Sequence, residues 1–201
     1  IRYLPFRGTG EAMPVRVPGV YEPAPEEQAY AQAFQVSSGL FEALGMRLLQ
    51  GRGIRETDGP DDPPVAVVNG AFRRDFFQGV DPVGRRFRIL GSDVEVEVVG
   101  LVADLRHRGL SEPARPSVYL SNDQVPRIQM SYVVEAEGDP LALAGDMRRI
   151  VGELDPDQPV TEIVPLAELM TQNLARPFFF TALLGGFATL ALVLAALGIY
   201  G

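Results

Sequence analysis

Hydrophobic positions are spread unevenly along the chain, and the longest unbroken run is the last one. Residues 178–200 read FFFTALLGGFATLALVLAALGIY and include no charged side chain. At a rise of about 1.5 Å per residue, about 23 helical residues span roughly 34 Å, enough to cross a hydrocarbon core of about 30 Å. The pattern predicts a transmembrane helix that is still apolar at Gly201, so the sequence reads as a piece of a longer membrane protein whose residues before Arg176 lie outside the bilayer.

Upstream of that run the periods are those of a folded domain. Residues 1–29 are rich in Pro and Gly, and PGVYEPAPEE (18–27) within them predicts an extended, loop-like connection. Residues 30–36 predict a strand, followed by a short helix that Ser37 or Ser38 caps and that carries Leu40, Phe41 and Leu44 on one side. Gly45 stands where a left-handed C-cap is wanted, and 46–49 resume as extended chain. The segment GRGIRETDGPDDPP (51–64) predicts an irregular loop. A buried-type strand over 65–69 leads into a helix with Phe72 and Phe76 on a shared face, and GVDPVG (79–84) is a turn. Strands follow over 87–90 and 94–102, the second alternating Val94, Val96 and Val98 with Glu95 and Glu97, so that one face is dry and the other wet. An Arg-rich loop over 104–108 precedes a strand over 117–120.

The final third predicts a strand over 130–137 and a helix that opens with Asp139 as N-cap and Pro140 at its first position. Its apolar stripe is Leu143, Met147, Ile150, Val151 and Leu154. Asp155-Pro156 stops it, and 160–164 return as a strand, giving a parallel βαβ unit with a right-handed crossover. Pro165 opens a second amphipathic helix, with Leu166, Leu169, Met170 and Leu174 on one side, which runs into Arg176, Pro177 and the apolar tail. So short a join implies mechanical continuity between the domain and the bilayer.

Composition narrows the function classes. The formal net charge is −8, and the tail contributes none of it, so the extramembrane part is acidic. A nucleic-acid-binding face needs a basic stripe that releases counterions, and none is present. All eighteen basic residues are Arg, scattered along the chain as a compositional bias. The absence of cysteine excludes disulfides and thiolate metal sites. No apolar signal core occupies the first residues.

Few residues qualify for chemistry. His107 is the only histidine, and any Ser-His-Asp machinery depends on it. The arginines on either side lower its basicity, a poor setting for a general base. Asp58, Asp61 and Asp62 cluster in a Pro-rich loop but lack the spacing of a calcium-binding loop and its terminal Glu, so they read as solvated. Asp155 and Asp157 read as turn residues, and Gly8 and Gly10 are followed by no phosphate-loop pattern. On the tail, Thr181, Gly185 and Ala188 share a face, with Ala182, Gly186 and Thr189 beside them, a spacing that lets another membrane helix approach closely. No intramembrane charge marks an ion or proton path. No residue is assigned a catalytic, cofactor-binding or metal role, and no cofactor is expected.

Five stretches together resemble a known family: VSSGLFEALGMRLLQGR (36–52), VAVVNGAFRRDFFQGVDPVGRRF (65–87), VEVVGLVADLRHRGLSEPARPSVYL (96–120), GDPLALAGDMRRIVGELDPDQPV (138–160) and LLGGFATLALVLAALGIYG (183–201). In this order they look like the MacB-type periplasmic core domain joined to the first following helix of an FtsX-like ABC transporter permease. The resemblance implies an α+β, bilobed extracytoplasmic domain. A βαβ porter-like lobe would combine residues 1–51 and 127–175, a mixed α/β lobe would be inserted over 52–126, and 176–201 would be the truncated transmembrane helix. It further implies a place in the cytoplasmic (inner) membrane, with residues 1–175 periplasmic. The partners implied are membrane lipid, a second permease copy in a dimer, a cytoplasmic ABC ATPase and a periplasmic or envelope protein, with no nucleic acid. Such a domain is not an enzyme. It transmits ATP-driven helix motion to an envelope cargo. A membrane-anchored sensor or adaptor domain and a membrane-anchored hydrolase relying on His107 are the alternatives.

Overall fold

A computed structural model describes residues 10–24, 27–91, 94–105, 113–126, 130–169, 185–189, 191 and 194–199. The chain divides into two compact units, Ile1–Gly138 and Asp139–Gly201.

The first unit is built on seven strands: β1 (Glu11–Arg16), β2 (Tyr30–Val36), β3 (Leu48–Gly51), β4 (Val65–Asn69), β5 (Arg86–Ile89), β6 (Glu95–Val102) and β7 (Ser117–Ser121). Two short helices, α1 (Leu40–Ala43) and α2 (Gly70–Phe76), complete it. The ladders run β3-β6-β4-β7-β2-β1-β5, and β5 pairs in turn with β6. Six strands therefore close a circuit, while β3 lies against the far end of β6. The β2–β7 and β4–β6 pairs are parallel and the rest antiparallel. Strands from both sides of residue 52, β3 and β4, pair with β6.

Alternation along the strands sorts their side chains into two apolar clusters. One takes Met13 and Val15, Ala31 and Ala33, Ala66 and Val68, Phe87, Val96 and Val98, and Val118 and Leu120, with Phe72, Phe76 and Phe77 packed among them. Phe72 lies 4.7 Å from Phe76 and 5.4 Å from Phe87 between ring centroids. The other takes the opposite faces, Phe34, Val36, Val65, Val67 and Tyr119, under Leu40, Phe41 and Ile54. Strands β4 and β7 are buried at every residue because both of their faces are covered, which is why β4 reads as an unbroken apolar run.

The wet-and-dry alternation of β6 holds through Val98 and then shifts. Ala66 pairs with Val98 but Val67 with Gly100, so Val99 is an extra residue. Such a bulge moves every later side chain to the other face. Leu101 accordingly joins the first cluster and Val102 the second. Glycine is required at this spot, since a Cβ on Gly100 would run into the carbonyl oxygen of Arg52. Its partner Gly51 has a φ of +71° and faces the Val99 carbonyl oxygen.

Several expectations need correction. The 1–29 stretch contains β1, whose Met13 and Val15 point inward around Pro14, a residue that hid the alternation. Helix α1 is capped by Gly39 in the left-handed region, with no side-chain cap, so neither Ser37 nor Ser38 plays that part. Strand β6 begins at Glu95, and Val94 is exposed.

In the second unit, Asp139 and Pro140 open a single 3₁₀ turn, Pro140–Leu143, with the Asp139 carboxylate accepting from the Leu141 amide at 3.0 Å. It continues as α3 (Ala144–Leu154), which stops at an extended Asp155. No residue of α3 is buried: Ile150 is 48% and Leu154 82% exposed. The strands expected over 130–137 and 160–164 form no ladder, and the parallel βαβ unit is absent among the described residues. Alternation gives a segment two faces, but only a neighbouring strand makes it a strand, and Tyr132 and Val134 stand exposed.

Of the 178–200 tail expected to cross the membrane, residues 178–184, 190, 192, 193 and 200 lie outside the described residues. Among those described, no helix is long and apolar enough to do so. Residues 185–189 and 194–199 are helical, with Phe187, Leu194, Leu197 and Ile199 exposed.

Candidate functional site

The densest polar arrangement lies where β4 and β6 end and β7 begins. Asn69 closes β4, is fully buried, and uses both ends of its amide. Its Oδ1 accepts from the Phe72 amide, capping α2, and from the Ser117 amide, both at 2.9 Å, while its Nδ2 donates to the Arg115 carbonyl at 2.9 Å. One side chain thus ends a strand, starts a helix and fixes the entry to another strand, satisfying groups whose burial unpaired would be costly. Two residues past β6, Asp104 Oδ1 accepts from the Ala71 amide at 2.8 Å and Oδ2 meets Arg74 Nη1 and Nη2 at 3.0 Å. Gly70 leaves room for this carboxylate, because a Cβ there would lie 3.2 Å from both oxygens. Both ends of the β6–β7 connection are therefore fastened to the first turn of α2.

Tyr119 is buried behind this cluster, stacked 5.5 Å from Phe34 and edge-on 5.3 Å from Phe41. Burial pushes its hydroxyl well above the usual tyrosine range, the negative charge of Asp104 adds to the effect, and a bond with Ser117 opposes it. A phenol so held stays neutral and does no acid–base work at ordinary pH.

The second arrangement ties down the acidic loop. Arg52 Nη1 and Nη2 meet Asp58 Oδ2 and Oδ1 at 2.7 and 2.8 Å, a two-pronged geometry. The Arg55 amide donates to Oδ2 at 2.8 Å, and Ser121 Oγ donates to the Asp58 carbonyl at 3.0 Å. The loop is thereby pinned to the end of β7. Burial alone would raise the pKa of Asp58, but its bonds to Arg52 and to the Arg55 amide outweigh it and hold the carboxyl below its ordinary value of 3.8.

These contacts place some of the residues singled out in the sequence. Asp58 is engaged by Arg52. Asp62 Oδ2 accepts from the Gly59 amide at 3.0 Å, and Asp61 is exposed. Among the described residues no three His, Cys, Asp or Glu side chains are arranged to hold a metal ion. Asp155 accepts from the Asp157 amide in a local turn at 3.0 Å. His107, Gly8, Thr181 and Ala182 lie outside the described residues. Thr189 bonds back to the Gly185 carbonyl at 2.8 Å.

Sequence reasoning did not single out Asn69, Asp104 or Arg52. The first had a signal, since Asn-Gly between an apolar strand and an amphipathic helix marks an N-cap. Asp104 and Arg52 had none, their partners being 33 and 6 residues away.

Residues 7–164 match the family described as the MacB-like periplasmic core domain. No curated protein matches the chain. Among solved structures it is similar to the periplasmic region of MacB from Actinobacillus actinomycetemcomitans, at 15% identity and a TM-score of 0.51, covering 73% of this chain and 64% of that one. It thus spans less than two thirds of that region. It is also similar to the extracellular domain of the noncanonic ABC-type transporter YknZ from Gram-positive bacteria, at 14% identity and a TM-score of 0.47, covering 75% of this chain and 79% of that one.

Proposed function

This chain belongs to the MacB-like periplasmic core domain family, and from that we propose that it is the extracytoplasmic domain of an ABC-type permease subunit, which carries helix motion driven by ATP outside the membrane to move or extract an envelope cargo. The observation that carries the reading is the family match over residues 7–164. Two physical features support it. The first unit is braced by a closed circuit of ladders and by the Asn69, Asp104 and Arg52–Asp58 contacts, and a body that relays displacement must resist deforming under it. The sequence also continues past the matched residues into the uncharged 178–200 segment, as a domain joined to a membrane helix requires. In this reading residues 176–201 are a membrane helix, the outer domain is bilobed, ATP hydrolysis belongs to a separate cytoplasmic subunit, and a second permease copy completes a dimer.

The test is a flexible Gly-Ser insert between Ala175 and Phe178 of the full permease, reconstituted with its ATPase. Hydrolysis should continue while cargo movement falls at least tenfold, with the outer domain still folded by circular dichroism. Transport at the unmodified rate would overturn the proposal.

A further inference from the structure

We draw no further inference here: the strongest candidate, the open apolar stripe of Leu143, Met147, Ile150, Val151 and Leu154 along α3, carries nothing because nothing in the structure shows what covers it.

Discussion

Arg52 and Asp58 face each other through two parallel bonds of 2.7 and 2.8 Å, six residues apart in a loop that otherwise has no regular structure. The carboxylate is nearly enclosed, its side chain 9% exposed against 28% for the arginine. Removing the acid leaves a cation and the Arg55 amide without their acceptor. Asp58→Ala should cost about 1–3 kcal/mol, the range for stripping a partner from partly buried hydrogen-bonded groups. Urea denaturation of the detergent-solubilised chain measures it, and a loss below about 0.5 kcal/mol would mean that the fork contributes no more than a surface pair.

The same contact sets a pH dependence. The folded pKa of Asp58 lies below its ordinary value of 3.8, so the unfolded chain takes up the proton first. The stability this contributes is present in full above the ordinary value and is lost as pH falls through the lower, folded one. Acid denaturation should therefore show an added slope below about pH 4. Asp58→Asn should flatten that slope, and an unchanged acid limb would place the titration elsewhere.

Two glycine substitutions should act with opposite sign. An Ala at position 100 puts its methyl against the Arg52 carbonyl, a backbone atom that cannot rotate away, so Gly100→Ala should destabilise by more than about 2 kcal/mol. Gly145 lies in α3 with nothing within reach of an added Cβ. There Gly145→Ala should stabilise by about 0.5–1 kcal/mol through helix propensity. Thermal melts of the two variants decide the matter, and a Gly100→Ala melt at or above that of the unmodified chain would contradict the close approach at β6.

The difference between these two glycines is also a measure of what could be read from the sequence. Local period and punctuation located β2, β4, α2 and the Asp139-Pro140 helix start, because each is decided by residues within a few positions of itself. The Val99 bulge was not legible, since it answers to β3 and Arg52 across the sheet. Nor was β1, whose Pro14 argues locally against a strand that β2 and β5 stabilise from both sides. Segments 130–137 and 160–164 erred the other way, having the alternation of strands without taking up strand pairing among the described residues. The polar cluster followed the same division. The Asn69 cap is encoded by adjacent residues, whereas the Asp104 contact with Ala71 exists only once β4 and β6 lie side by side.

Asn69→Asp separates the two roles of that side chain. The acceptor oxygen that serves Phe72 and Ser117 is kept, but the group facing the Arg115 carbonyl turns from donor into acceptor. Two oxygens held near 2.9 Å repel, so the start of β7 should loosen while α2 stays capped. Hydrogen exchange should speed up at least tenfold at the Ser117 and Val118 amides and little at Phe72. Equal acceleration at both would show that the node acts only as a single structural unit.

Tyr119 supplies the alkaline counterpart of Asp58. Its folded pKa is raised, by burial first and by the charge of Asp104 second, so at high pH the unfolded chain releases its proton before the folded one does. The stability linked to the neutral phenol is whole below the usual tyrosine value of about 10 and is lost progressively above it. Tyr119→Phe keeps the ring that packs against Phe34 and Phe41 but gives up the hydroxyl bonded to Ser117. At neutral pH it should cost about 1 kcal/mol, the ordinary worth of one hydrogen bond. Between pH 10 and 12 the unmodified chain should lose stability faster than the variant, narrowing the gap between them. Parallel urea titrations at pH 7 and pH 11 read this directly. A gap that stays constant with pH would mean that Tyr119 ionises as readily in the folded protein as in the unfolded one, and that the hydroxyl is not enclosed.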